Sequence, residues 1–190
     1  MIAGASLTRR PGFVESAPVP DRLAALDTRL LVVMRTHGHT PARDRAVATF
    51  SETGEHAACW LALGATAALL DGERREPWLR AAATVGASYV TNTAVKFTIR
   101  RPRPRLDGLP PLTTTVSSLS FPSAHCTTSF TAARLYGALI EAAPLYAVAV
   151  LFALSRLYLG VHYPSDVIAG ALLGTALAIA ARRSGVTGCR

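Results

Sequence analysis

The chain has 190 residues, 50% of them hydrophobic and 17% charged, with a formal charge of +8. The apolar share excludes a disordered protein, and the charged share falls below the roughly one quarter of ordinary soluble domains. The length suits one domain with a short tail, and the excess of base admits nucleic acid, a membrane surface or phosphate-bearing substrates. Nucleic acid is set aside, because no aromatic interleaving and no basic helix face accompany the charge. The base is 19 Arg and a single Lys, Lys96. Cys59, Cys126 and Cys189 are far apart and form no CxxC pair, so neither a disulfide framework nor a zinc site is expected.

Residues 1–20, broken by Pro11, Pro18 and Pro20, read as a flexible N-terminal arm. The early apolar run Leu30 to Met34 is too short for the core of a signal peptide. Residues 21–55 read as an amphipathic, interfacial segment. Leu23, Leu26, Leu30 and Val33 fall at helical spacing within 21–36, which suits a membrane surface or a partner helix and, from this segment alone, a soluble surface helix equally well.

From residue 56 the texture changes to charge-poor helical runs at 56–70, 78–99, 127–143, 144–160 and 166–181, the third and fourth divided at Pro144. Most are a little short of the roughly 20 residues that span a bilayer, and each can extend into its flanks. They carry the small residues of packed membrane helices, including the Gly170/Gly174 GxxxG pair. The expected fold is therefore all-α: an integral-membrane bundle of about five transmembrane helices preceded by an amphipathic interfacial helix. Residues 56–183 form its core and 184–190 a C-terminal tail.

The chemistry lies in the breaks between helices. Lys96, Arg100, Arg101, Arg103 and Arg105 crowd one helix end, stiffened by Pro102 and Pro104. By itself this cluster suits a lipid-headgroup contact as well as a phosphate clamp. Ser123 and His125 begin the next run, where free N–H groups favour anions and a His can protonate a leaving group, although in isolation a plain helix cap by Ser123 is the better reading. Arg156, His162 and Asp166 form the third cluster; a carboxylate four residues beyond the imidazole can set its tautomer and leave the other nitrogen as a nucleophile. If successive helices cross the membrane in turn, all three clusters meet on one face.

These blocks, Lys-x6-Arg-Pro, Pro-Ser-x-His and Ser-Arg-x5-His-x3-Asp, resemble the three signature motifs of the type 2 phosphatidic acid phosphatase (PAP2) superfamily. The resemblance implies an all-helical phosphatase that removes phosphate from lipid phosphates and needs neither metal nor other cofactor. It implies His162 as the nucleophile that becomes a phosphohistidine, Asp166 as its orienting carboxylate and His125 as the acid for the leaving oxygen. Lys96, Arg103, Ser123 and Arg156 would hold the phosphoryl oxygens. One departure is Ala124, where the second motif usually has Gly; it removes no catalytic group, so activity is expected to survive. A cysteine-phosphatase reading from His125-Cys126 fails, because the position required for Arg holds Ala132. A non-catalytic lipid-binding or transport protein would not need both histidines with Asp166.

The implied partners are a lipid phosphate substrate and membrane lipids. The small size and Arg-rich usage are similar to actinobacterial members that dephosphorylate a phosphoribosylated polyprenyl lipid of cell-wall arabinan synthesis. The family also allows undecaprenyl diphosphate, phosphatidylglycerophosphate and phosphatidic acid. The implied location is the plasma membrane with the site on the cytoplasmic face. The pattern specifies no oligomeric state.

Overall fold

A computed structural model describes residues 21–185. The expected arm at 1–20, most of the tail and Cys189 lie outside them. The described residues form seven α-helices: α1 (Asp21–Thr36), α2 (Pro41–Thr53), α3 (Ala58–Leu70), α4 (Arg75–Ile99), α5 (Ala124–Tyr136), α6 (Ala142–Tyr158) and α7 (Pro164–Arg183). Among the described residues the only β feature is an isolated antiparallel bridge between Pro102 and Leu119. The fold is all-helical.

Every expected run carries a helix, with three adjustments. The segment 21–55 holds two helices, because Thr40 caps α2 through its side chain and Pro41 occupies the first turn, where no N–H is needed. The third run is shorter than 127–143: α5 starts at Ala124 and stops at Tyr136, and the chain turns through 137–141. Gly137 permits that turn, since a Cβ there would meet the Ala133 carbonyl at 2.6 Å. Pro144 does not divide the helices; it sits in the first turn of α6, where its missing N–H leaves no bond unmade.

α5 is the hub, with His125 to Ser129, Thr131 to Ala133, Leu135 and Tyr136 all buried. It packs against α4, α6 and α7. The GxxxG pair makes the α5–α7 crossing close: Gly170 lies against the Ser123 carbonyl and Gly174 against the Thr127 backbone, leaving no room for a Cβ. Thr131 Oγ1 donates to the Gly174 carbonyl at 3.1 Å. Two further side chains in this centre donate across helices. Asn92 Nδ2 donates to Thr127 Oγ1 at 2.9 Å, and Trp60 Nε1 to Ser129 Oγ at 2.8 Å.

The outside is the apolar part of the molecule. Leu69, Leu70, Val90, Leu151, Ile168 and Leu172 point outward, while Lys96, Arg156, His162 and Asp166 are buried. α7 is long and apolar enough to cross a membrane, and 55–70 and α6 are shorter apolar helical segments. α1 has the same inverted sense: Leu23, Leu26, Leu30 and Val33 are exposed, and Asp27, Leu31 and Arg35 face inward.

Candidate active site

Lys96 lies one turn before the end of α4, which stops because Arg100 takes a left-handed conformation (φ 55°) ahead of the Arg101-Pro102 sequence. The chain then doubles back. Ser120 N donates to the Arg101 carbonyl at 2.8 Å and Arg103 N to the Ser118 carbonyl at 3.2 Å, so 101–103 and 118–120 run as a short antiparallel ribbon. This ribbon carries Arg103 back over the helix end that bears Lys96. The Lys96 ammonium donates to the carbonyls of Leu119 (3.1 Å) and Ser120 (3.4 Å).

Arg103 is anchored by backbone: Nε donates to Ser117 O and Nη1 to Val161 O, both at 2.8 Å. The same Nη1 lies 3.2 Å from His162 Nε2. Burial pushes the Arg103 guanidinium down to about 10, which keeps it charged at neutral pH. His162, in the α6–α7 connection, is fully enclosed. Burial first, then the charges of Arg103, Arg156 and Lys96, hold its imidazole well below its usual 6.5. A neutral ring has a lone pair to use.

Asp166 stands in the first turn of α7, where Tyr163 N donates to Oδ2 at 2.8 Å. That oxygen is 3.6 Å from His162 Nδ1, and Nδ1 has no hydrogen-bond partner. The expected carboxylate–imidazole pair is thus adjacent but not bonded. Asp166 Oδ1 is held by Arg101 Nη1 at 2.7 Å.

At the start of α5, His125 Nε2 lies 2.9 Å from the Ser51 carbonyl. A carbonyl only accepts, so Nε2 carries the proton and Nδ1 is unprotonated in the neutral ring. Among the described residues nothing bonds Nδ1. Arg156 Nη1 donates to Ser51 Oγ, and its Nε has no partner. Ser123 N donates to the Asp166 carbonyl at 3.0 Å, whereas the Ser123 hydroxyl is buried without a partner and does not cap its own helix.

These groups surround one cavity of about 230 Å³. Lys96, Arg103, His125, Arg156 and His162 line it, with Ala124 at the mouth of α5. The structure brings the three sequence clusters together, with Ser123 and Asp166 one layer behind the wall. The rest of the lining includes Glu55, His56, Tyr89, Thr93 and Phe97. Three fixed cations, a neutral enclosed imidazole and a second imidazole can accommodate a tetrahedral anion beside a nucleophile and a proton carrier.

Sequence reasoning missed Ser51 and the lining residues Glu55, His56, Tyr89, Thr93 and Phe97. Ser51 has no local signature, and its role depends on α2 crossing over both α5 and α6. Arg101 and Asp27 were visible only as one member of a basic run and one of the charges spaced along α1. Among the described residues, no three His, Cys, Asp or Glu side chains gather at metal-ligand distances.

The PAP2 superfamily model matches residues 77–187. The chain is 39% identical over 145 residues to the decaprenylphosphoryl-5-phosphoribose phosphatase of Mycolicibacterium smegmatis, covering 76% of this chain and 80% of that protein. It is 42% identical over 125 residues to the protein of the same name from Mycobacterium tuberculosis, covering 65% and 70% respectively. In structure it is similar to a transmembrane PAP2-type phosphatidylglycerolphosphate phosphatase from Bacillus subtilis (TM-score 0.73, 21% identity, 87% of each chain). It is also similar to LpxE of Aquifex aeolicus (TM-score 0.70, 26% identity, 83% of this chain and 95% of that one).

Proposed function

The chain belongs to the PAP2 superfamily and is a phosphatase, and from that premise we propose that it hydrolyses the phosphomonoester of decaprenylphosphoryl-5-phosphoribose through a phosphohistidine intermediate. The observation that carries the reaction is the single cavity on which Lys96, Arg103, Arg156, His125 and His162 converge. The lipid is suggested by the two mycobacterial relatives and by the rest of the cavity. Phe97 and Val116 line it and are largely exposed, at 57% and 73%, which suits a prenyl chain entering from the side.

In the proposed first step His162 Nε2 attacks phosphorus and the ester P–O bond breaks. His162 Nδ1–H turns to Asp166, and His125, protonated on entry of the dianionic substrate, passes a proton to the ribose oxygen. Lys96, Arg103 and Arg156 hold the equatorial oxygens, with the partnerless Ser123 hydroxyl as a further donor. In the second step water attacks the phosphohistidine, His125 takes its proton, and the N–P bond breaks to release inorganic phosphate. The cations supply the charge stabilisation that a metal supplies elsewhere, so activity is expected to persist in excess EDTA.

The membrane assignment rests on the outward apolar residues and the inward ions. α7 and α4 would cross the bilayer, α4 at 25 residues reaching about 37 Å by the helical rise, and the shorter α3, α5 and α6 would lie within it beside them. α1 would lie at the interface on its exposed leucines. Residues 21–55 are kept as the interfacial segment and 56–183 as the membrane core, with the site on the cytoplasmic face of the plasma membrane, where a cytosolic precursor would supply the phosphoribosyl group.

The test is phosphate release by the purified full-length chain, with and without EDTA, from four lipids: decaprenylphosphoryl-5-phosphoribose, undecaprenyl diphosphate, phosphatidylglycerophosphate and phosphatidic acid. The phosphoribosyl lipid should have the highest kcat/KM. A clear preference for another lipid overturns the substrate, and lipid binding without release from any overturns the catalytic reading. Labelled substrate should leave an acid-labile phosphoenzyme in the wild type and none in His162→Gln.

A further inference from the structure

α1 lies outside the segment that matches the family model, yet it reaches the nucleophile through a continuous chain of charges. The Arg101 guanidinium is held between two carboxylates, with Nη1 on Asp166 Oδ1 and Nη2 on Asp27 Oδ2, both at 2.7 Å. The Tyr163 ring lies under it, 4.2 Å from the guanidinium carbon. Ser165 closes the array: its N–H donates to Asp27 Oδ1 at 2.9 Å, and its hydroxyl lies 2.6 Å from Arg101 Nη1. Asp27 is 2% exposed and Asp166 fully buried, so water does not screen these charges.

We propose that Asp27 and Arg101 are positioning residues for the nucleophile: Asp27 shares Arg101 with Asp166, which leaves the Asp166 carboxylate a net negative charge to present to His162. The inference rests on the reading of His162 as nucleophile.

The charge arithmetic gives the reason. One guanidinium paired with Asp166 alone would make a neutral pair beside an imidazole that becomes cationic as the N–P bond forms. With Asp27 included, the three groups sum to −1. The array also fixes direction. Arg101 on Oδ1 and Tyr163 N on Oδ2 hold the carboxylate so that Oδ2 stays 3.6 Å from His162 Nδ1, a small movement away from a hydrogen bond. Asp27 thereby makes the docking of a helix whose leucines face outward a condition for a competent nucleophile.

A purely structural alternative exists, in which Asp27 only ties α1 to the first turn of α7 through Ser165. Asp27→Asn removes the charge and keeps an oxygen to accept from Ser165 N, but its amide N–H₂ replaces the oxygen that accepts from Arg101 Nη2 and the Ser165 hydroxyl, so the two readings are separated by comparing kcat with melting temperature. The assay is steady-state phosphate release in detergent micelles, with the amplitude and rate of phosphoenzyme formation and the melting temperature of each variant. Asp27→Asn should lower kcat by about 10- to 100-fold, the size of effect found when the partner that orients a metal-ligating side chain is lost, with KM within about twofold. Phosphoenzyme formation should be the slowed step, and Asp27→Glu should recover part of the loss. Arg101→Lys keeps a charge but replaces the planar fork, whose two nitrogens each meet one carboxylate, by a single ammonium nitrogen, and should fall by a similar factor. If Asp27→Asn does not fold, Arg101→Lys decides on the same kcat and KM split. A kcat within twofold of wild type in the deciding variant, or a loss confined to melting temperature, overturns the inference. Phosphate release that survives in His162→Gln would instead refute the nucleophile itself.

Discussion

Arg103→Lys separates a phosphate clamp from a patch of membrane-edge charge, because it keeps the charge and removes the geometry. Arg103 has two backbone anchors, Ser117 O on Nε and Val161 O on Nη1, and Nη1 also reaches His162 Nε2. Among the described residues nothing bonds Nη2, which leaves it for the phosphoryl group. A lysine has one nitrogen for all of these tasks. If it keeps a backbone anchor, it gives up the oxyanion donor; if it reaches the phosphate, the Val161 carbonyl loses its Arg103 donor and Ser117 O keeps only Thr115 Oγ1. Loss of one pre-set donor costs roughly 10²–10³ in rate, about 2.7–4 kcal/mol, so kcat/KM should fall by about that factor and Arg103→Ala should be little worse. Lys96→Arg should fail similarly, since the longer fork must fit where Lys96 is 7% exposed against two carbonyls. Arg100→Lys and Arg105→Lys are the controls: both side chains are exposed, and such swaps stay within about 0.5 kcal/mol, roughly twofold. The assay is kcat/KM on a short-chain lipid phosphate, with melting temperature followed in the same detergent. Equal, mild effects at positions 96, 100, 103 and 105 would refute the clamp.

Gly174→Ala should destabilise the bundle by about 1–3 kcal/mol, because its methyl would press on the Thr127 backbone; an unchanged melting temperature would mean that α7 can slide on α5. Stability should also report the neutral state of His162. Its folded pKa lies well below 6.5, so below about pH 6.5 the unfolded chain binds more protons and stability falls with pH, by up to about 1.4 kcal/mol per unit. His162→Gln removes this group, so between pH 7.5 and 5 its melting temperature should drop less than that of the wild type; equal drops would contradict a buried neutral imidazole.

The sequence by itself determined the helical runs and the chemistry of the clusters. Apolar residues recurring without charge specify helices wherever they pack, and Lys96, Arg103, His125, Arg156 and His162 stood out because ions beside apolar runs are costly without a purpose. The spacing of local motifs also placed Asp166 next to His162, one helical turn away. Boundaries were less legible where one residue type has two uses: Pro144 reads as a break but serves as a first-turn residue, and the true turn depends on Gly137 fitting under the Ala133 carbonyl. Only the tertiary structure decided which partners the site residues have. Ser51 meets His125 and Arg156 across 74 and 105 residues of chain, and Asp27 meets Arg101 across 74. Contacts of that separation have no period and no local spacing. They arise when α1 and α2 fold over the bundle with their polar residues inward, a sense of packing that depends on what lies outside the helix, and a hydrophobic stripe has the same pattern whether it faces a core or a lipid.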